Sequence, residues 1–279
     1  MPARSRRLAS LVLLACAFAA PAARAQATEE VPFITSPDNV TLEMLRVANV
    51  GPRDHVIDLG SGDGRIVILA AKRFGATGLG VEIVPTLVQQ SLRNARDAGV
   101  ADRVDFREQD LFQTDLGAAT VITMYLLPEV NLQLRPALLA LKPGTRVVSH
   151  DWDLGDWKPD QTTVVPVPDK KVGLDKSSKV HLWVVPAKVE GLWCPHRLLG
   201  PGSLELTQKY QEVQGRLTRR GTVREGTGRL QGNVLHLETR GDRTLVLEAV
   251  GDTLRAAGRT DYPALNGAVM FTRTRGGSC

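Results

Sequence analysis

Seven consecutive residues, Asp58-Leu59-Gly60-Ser61-Gly62-Asp63-Gly64, follow an apolar run and open an amphipathic one. Glycines at alternate positions let the backbone turn sharply and approach a ligand with no Cβ in the way, and amides at the start of a helix favour an anionic group. Alone, such a loop is equally a tight strand-to-helix turn or a cradle for a dinucleotide pyrophosphate. Two later acids decide the matter. Glu82 closes the next apolar run, where a carboxylate can accept both hydroxyls of a ribose. Asp110 follows the third run, where a carboxylate accepts from an adenine amino group, and Ile83 and Leu111 stand where they can sandwich the base plane. The spacing predicts that loop and acids converge on one crevice at the carboxyl edge of a parallel sheet.

Two more clusters fall at that edge. Thr123-Met124-Tyr125-Leu126-Leu127-Pro128-Glu129 follows the fourth run, and His150-Asp151-Trp152-Asp153-Leu154-Gly155-Asp156-Trp157 follows the fifth. Tyr125 and Trp152 suit aromatic walls for a cationic amine, and His150 or Asp151 suits proton removal from a nucleophile. Each also has a purely structural reading: Tyr125 as a core aromatic, His150-Asp151 as a polar pair closing a turn, and Asp153, Asp156 and Trp157 as loop organisers. No histidine accompanies these carboxylates at ligand spacing, so no metal site is expected.

The elements that must carry these groups alternate. Strands are expected at His55 to Leu59, Thr77 to Glu82, Val104 to Arg107, Ala119 to Met124 and Arg146 to His150, with helices at Asn39 to Ala48, Arg65 to Phe74, Pro85 to Ala98 and Pro128 to Leu141. Ser36-Pro37 reads as a cap and first turn, and Gly75 and Gly99 as left-handed helix ends. Thr162 to Val167 and Val180 to Val185 read as an antiparallel pair closing the sheet edge. From Gly191 onward the texture changes to short alternating runs punctuated by glycine, the pattern of a small antiparallel barrel or sandwich. The fold class is thus α/β, a Rossmann-like mostly parallel sheet with helices on both faces, followed by a small all-β domain. The expected divisions are a leader over 1–25, an α/β domain over 26–188 and a β domain over 189–279.

The pattern Asp58-x-Gly60-x-Gly62-x-Gly64, then Glu82, then Asp110 resembles that of S-adenosylmethionine-dependent methyltransferases of the seven-stranded Rossmann-like class, over about residues 31 to 186. The longer string Asp58 to Val67, with Val31-Pro32-Phe33-Ile34-Thr35-Ser36-Pro37 upstream, looks more narrowly like a branch containing protein-lysine methyltransferases. That resemblance implies S-adenosylmethionine as cofactor, with Asp58, Gly60, Ser61, Gly62 and Gly64 on its methionyl side and Glu82, Ile83, Asp110 and Leu111 at its nucleoside. It implies methylation of an amine or other heteroatom on a small molecule or protein, a protein lysine among them; the residues after the fourth and fifth runs then offer Tyr125, His150 and Asp151 as the candidate catalytic groups. A second reading keeps the fold without catalysis, as an extracytoplasmic module binding a nucleoside-like ligand. An NAD-dependent oxidoreductase is disfavoured by the G-x-G-x-G loop and by the β-rich sequence after the fifth strand. In the second domain, Gly191-Leu192-Trp193 and the spaced glycines weakly resemble a lipocalin-like barrel, with Trp193 as a plug at a barrel end. His181, His196 and His236 are too scattered to form a site.

The chain has 279 residues, 43% hydrophobic and 23% charged, which excludes wholesale disorder and fibrous repeats. Its net charge of +5 is mostly local, because Arg4, Arg6, Arg7 and Arg24 lie in a first stretch of 25 residues with no acid. That leaves no basic surface to suggest nucleic acid as a partner. The same stretch, with its apolar run Leu8 to Ala20 and the small-residue site Ala23-Arg24-Ala25, reads as a secretory signal cleaved after Ala25. Leu13-Leu14-Ala15-Cys16 offers a rival, lipid anchoring through Cys16. The expected location is therefore periplasmic or secreted, with no membrane span after cleavage. Cys194 and Cys279 remain as a possible disulfide. Residues 26–188 carry an excess of acids and residues 189–279 an excess of bases, a complementarity that permits docking of one part on the other.

Overall fold

The computed structural model describes residues 34–170, 175–239, 243–257 and 267–279. The expected signal segment, its cleavage point and Cys16 lie outside the described residues.

The five apolar runs become parallel strands β1 (His55–Leu59), β2 (Thr77–Glu82), β3 (Val104–Glu108), β4 (Val121–Met124) and β5 (Arg146–His150). With the antiparallel pair β6 (Gln161–Pro166) and β7 (Ser177–Val184), the order across the sheet is β3-β2-β1-β4-β5-β7-β6. Strands buried on both faces read as nearly continuous apolar runs, and all four residues of β4 are buried, with Thr123 as its one polar member. Val56, Val121 and Val148 pack against Val40, Met44 and Leu45 of α1 (Asp38–Val47) and Ile66 and Ala70 of α2 (Arg65–Phe74). Ile57, Ile122 and Val147 face the other way, onto Leu134 and Leu138 of α4 (Pro128–Leu139) and onto Trp157 and Trp183. Helix α3 (Pro85–Asp97) joins α2 over β3 through Val67, Val88, Ala95 and Phe106. The strand order reverses between β1 and β4, and such a reversal opens a crevice at the carboxyl ends of the strands.

Gly75 and Gly99 do lie in the left-handed region, with φ of 72° and 71°. Ser36 does not cap α1. Pro37 occupies the cap position without a side-chain hydrogen bond, and the Ser36 hydroxyl turns instead to His150, 2.8 Å away. A buried imidazole offers that hydroxyl a dry partner, which a solvent-facing helix end does not.

The remaining strands are β8 (Gly191–Pro195), β9 (Gly202–Lys209), β10 (Glu212–Arg219), β11 (Thr222–Gln231), β12 (Val234–Thr239), β13 (Arg243–Val250), β14 (Thr253–Ala256) and β15 (Val269–Arg273). They form a closed antiparallel barrel in the order β10-β11-β12-β13-β14-β15-β8-β9. Its inward positions, among them Trp193, Leu204, Leu206, Leu230, Leu235, Leu247 and Phe271, form one buried cluster, so the barrel is filled by its own side chains. Trp193 lies within that cluster, fully buried, with its indole N–H donating to the Val189 carbonyl at 2.8 Å. A disulfide joins Cys194 on β8 to Cys279.

One pole of the barrel rests on the α/β part. Gln211 Nε2 donates to the Lys158 carbonyl at 2.6 Å, and the Ala187 amide donates to the Gly232 carbonyl at 2.8 Å. Tyr210 stacks on Trp157 at 6.1 Å, and its hydroxyl donates to Asp156. Arg229 pairs with Asp160 at 2.7 Å and Lys209 with Asp156 at 3.3 Å, acids on one side and bases on the other, as the charge division anticipates.

Candidate active site

Between β1 and α2 the backbone enters the left-handed region at Gly60, Gly62 and Gly64, with φ of 72°, 55° and 81°. At Gly64 packing adds a second demand, because a Cβ there would lie 2.7 Å from the Phe106 ring. The loop amides do not stand free for an anion, contrary to the expectation from spacing. Gly60 and Ser61 both donate to the Val81 carbonyl at 2.9 Å, Gly64 donates to the Ser61 carbonyl, and Gly62 donates to Glu82 Oε2 at 3.0 Å. The other oxygen of Glu82 accepts from the amides of Ile83 and Val84 at 2.8 and 3.0 Å. A pyrophosphate would meet occupied amides and a carboxylate at this mouth, which weighs against a dinucleotide.

Asp58, next to last in β1, is fully enclosed, its Oδ1 accepting from the Thr123 hydroxyl at 2.7 Å. Burial pushes its carboxyl up to about 7, against the Thr123 hydrogen bond and with the help of the negative charges of Glu82 and Asp63. Ser61 is buried in the loop that follows, its hydroxyl turned toward Gly80 of β2 and without a hydrogen-bond partner among the described residues. An orphaned hydroxyl and a poorly compensated acid are what a polar ligand would satisfy, and they fit the methionyl side of S-adenosylmethionine.

On the other flank Ile83 exposes 67% of its surface immediately after Glu82, an apolar face suited to a base plane. The Gln109 amide donates to the Glu82 carbonyl, which brings the Asp110 segment to the same edge. Asp110 itself caps the single turn Leu111–Gln113, accepting from the Phe112 amide at 2.9 Å and from Gln113 Nε2 at 3.2 Å. Leu111 is partly buried against the second-face core, whereas Phe112 leaves half its surface exposed. Spacing alone did not single out Phe112, although an aromatic next to Leu111 was a readable signal.

The acceptor side centres on Tyr125. Its ring stacks on His150 with centroids 3.9 Å apart, and the next residue, Leu126, reaches to Gly60, where a Cβ would lie 2.8 Å from its Cδ2. His150 is 1% exposed, with Nδ1 on the Ser36 hydroxyl and Nε2 on the Ser178 hydroxyl at 2.9 Å. Burial pushes its imidazole down to about 4, against the pull of neighbouring Asp151. Burial also acts on Asp151, but the Lys170 ammonium at 2.8 Å, the Lys179 amide at 2.9 Å and His150 outweigh it and hold the carboxyl below its usual range. Burial and the Asp151 charge raise the Tyr125 phenol, which therefore stays protonated. Ser36 also belongs to the loop side: its carbonyl accepts from Arg65, and Arg65 grips Asp63 through Nε at 3.0 Å. Trp152 lies on the rim, 45% exposed. Ser36, Thr123 and Ser178 carry no sequence signal for these roles, because each is assigned by contacts across the fold.

A sheet of this order, with a glycine loop after β1 latched by an acid at the end of β2, defines an S-adenosylmethionine-dependent methyltransferase. Comparison with known proteins then narrows the class. The family profile described as the ANTKMT methyltransferase domain matches residues 58–161. A protein-lysine N-methyltransferase of Saccharolobus islandicus is 41% identical over 157 residues, which is 56% of this chain and 94% of that protein. The adenine nucleotide translocase lysine N-methyltransferase of Mus musculus is 32% identical over 131 residues, which is 47% of this chain and 57% of that protein. Among solved structures, a protein described as an RNA methyltransferase from Salinibacter ruber, in complex with S-adenosyl-L-homocysteine, is 49% identical with a TM-score of 0.50, covering 56% of this chain and 96% of that one. The chain belongs to the methyltransferase family of the Saccharolobus protein-lysine enzyme, and its cofactor is S-adenosylmethionine.

Proposed function

We propose that this protein transfers a methyl group from S-adenosylmethionine to the side-chain amine of a lysine in a protein acceptor. The observation that carries this reading is the half-buried Tyr125 ring held face-on by a buried, neutral His150, beside the contact of Leu126 with Gly60. The names of the lysine-methylating relatives support the acceptor class, and the Salinibacter name makes RNA the alternative to test against it.

When bound, S-adenosylmethionine supplies an electrophilic methyl group on a cationic sulfur. Asp58, Gly60, Ser61, Gly62 and Gly64 would hold its methionyl side, and Glu82, Ile83, Asp110 and Leu111 its nucleoside. An amine attacks only when neutral, and the enclosed approach beside Tyr125 disfavours its charged form by desolvation. The protonated phenol offers an oxygen that accepts one amine N–H and so aims the lone pair. In this reading His150 is a positioning residue, because both its ring nitrogens are engaged and its surface is covered. Asp151, committed to Lys170 and Lys179, holds the turn that follows β5, and the amine releases its proton to water.

The test incubates the full chain and methyl-labelled S-adenosylmethionine with a protein extract and, separately, with RNA. Label recovered in methyl-lysine after acid hydrolysis is the expected result, and label confined to RNA overturns it. Tyr125→Phe should lower kcat by about tenfold with cofactor affinity unchanged. An unaltered kcat would remove the phenol from the site.

We further propose export by the amino-terminal segment, with cleavage after Ala25 into the periplasm or medium. The Cys194–Cys279 pair supports an oxidising compartment. Amino-terminal sequencing of the natural protein should begin at Gln26. A lipid-modified Cys16 would favour the anchored alternative, and an intact Met1 would overturn export.

A further inference from the structure

The barrel has two poles of opposite character. At one, the β9–β10 turn carries Tyr210 and Gln211 onto the α/β part. Strand β10 then runs about 26 Å at ~3.3 Å per residue to the far pole, where Arg219 and Thr222 close the β10–β11 hairpin around Arg220 and Gly221. Strand β12 joins β11 only from Gly226 onward, so Thr222 to Glu225 extend beyond it and are all exposed. This projecting tip carries Arg219, Arg220 and Arg224 and one acid, Glu225; by the register Arg219 and Arg224 share one face of the ribbon, and Val223, 45% exposed, lies on the other. Arg197 is exposed at the same end, five residues before the start of β9, which pairs with Arg219. No acid occurs between Glu212 and Glu225, and none of the four arginines forms an ion pair among the described residues.

We propose that this hairpin tip is a docking point for the anionic headgroups of a phospholipid surface. Four arginines without an ion-pair partner among the described residues, against the single acid Glu225, fit a planar negative surface, each adding to the attraction until salt screens it. The exposed Val223 side chain stands where it can enter the headgroup layer. A single nucleic acid strand fits less well, because neither β10 nor β11 contains Phe, Trp or Tyr on which a base could stack. With the opposite pole fixed to the α/β part, the barrel would stand between that surface and the α/β part.

The test is co-sedimentation of the full chain with vesicles of phosphatidylcholine, with and without phosphatidylglycerol, against the variant Arg219→Gln/Arg220→Asn. Asn is chosen at 220 because Arg220 has φ of 49°, which Asn tolerates. Comparing two otherwise identical chains cancels any membrane affinity of the amino-terminal apolar run. Binding to the phosphatidylglycerol vesicles should fall by about thirtyfold in the variant and be lost by the native chain as salt is raised. Equal binding by both chains, or equal binding to neutral vesicles, overturns the proposal. So does tighter, arginine-dependent binding of single-stranded RNA at the same salt.

Discussion

The crevice of the α/β part and the interior of the barrel treat polar groups in opposite ways. Ser36, Asp58, Ser61, Thr123, Ser149, His150 and Ser178 are all buried in the former, several at the carboxyl ends of strands. Among the described residues of the barrel, the buried polar side chain is Gln211, and it is buried because it reaches across to Lys158. Burying a polar group without full compensation costs free energy, so a fold keeps such groups where a ligand or a specific alignment repays them. The barrel interior, filled by leucines, Trp193 and Phe271, has no such groups to satisfy and serves as a rigid body.

Truncating the barrel's largest plug is the sharpest way to break that contrast. Trp193→Ala removes a fully buried indole and its contact with the Arg273 guanidinium 4.3 Å above it, and should cost about 3–5 kcal/mol in denaturant unfolding followed by circular dichroism. Cofactor affinity of the folded variant should be unchanged, and a parallel loss would make the barrel part of the site. Asp58 probes the opposite strategy. Its folded carboxyl titrates at about 7 against an ordinary 3.8, so the folded state holds a proton that the unfolded chain releases. Its penalty is absent below about pH 4 and grows to its full size as the pH rises through about 7. Asp58→Asn should therefore raise ligand-free stability at pH 8 by on the order of 3 kcal/mol and flatten its fall between pH 4 and 7. An unchanged pH slope would mean that the carboxyl is better compensated than its burial implies.

Glu82→Ala removes the partner of three amides and the expected ribose ligand. S-adenosylhomocysteine binding should weaken by about 30- to 100-fold in calorimetry, and unaltered affinity would contradict the ribose assignment. The smallest effect belongs to the seam between the two regions. Arg229→Ala should cost about 1 kcal/mol, since Arg229 is half exposed and Asp160, though largely covered, keeps the Val184 amide as a partner. A larger loss would show that docking depends on this pair more than on Tyr210 and Gln211.

Local chemistry made much of this molecule readable. The alternation of apolar runs and amphipathic stretches placed β1 to β5 and α1 to α4 within a few residues of their observed ends, because burial on two faces and on one face leave different periods. The glycine loop was legible because positive φ selects glycine whatever lies nearby. The state of its amides was not, since the partner of Gly62 is an acid twenty residues away whose rotamer no local rule determines. The bounds of strand β8 were not legible for a related reason. Its five residues alternate too briefly to signal a strand, and only pairing with β9 on one side and β15 on the other makes it one.

The amino-acid sequence alone determined the class of fold, the glycine loop after β1 and the acid at the end of β2, because these depend on backbone freedom and on periods a few residues long. Tertiary structure decided the rest: that Ser36 serves His150 rather than a helix end, that His150 is walled in and neutral, that the barrel closes around a core of its own side chains, and that its basic hairpin lies at the pole opposite the one resting on the α/β part. Each of those outcomes is set by burial and by contacts between residues far apart in the chain, and such contacts do not exist until the chain has folded.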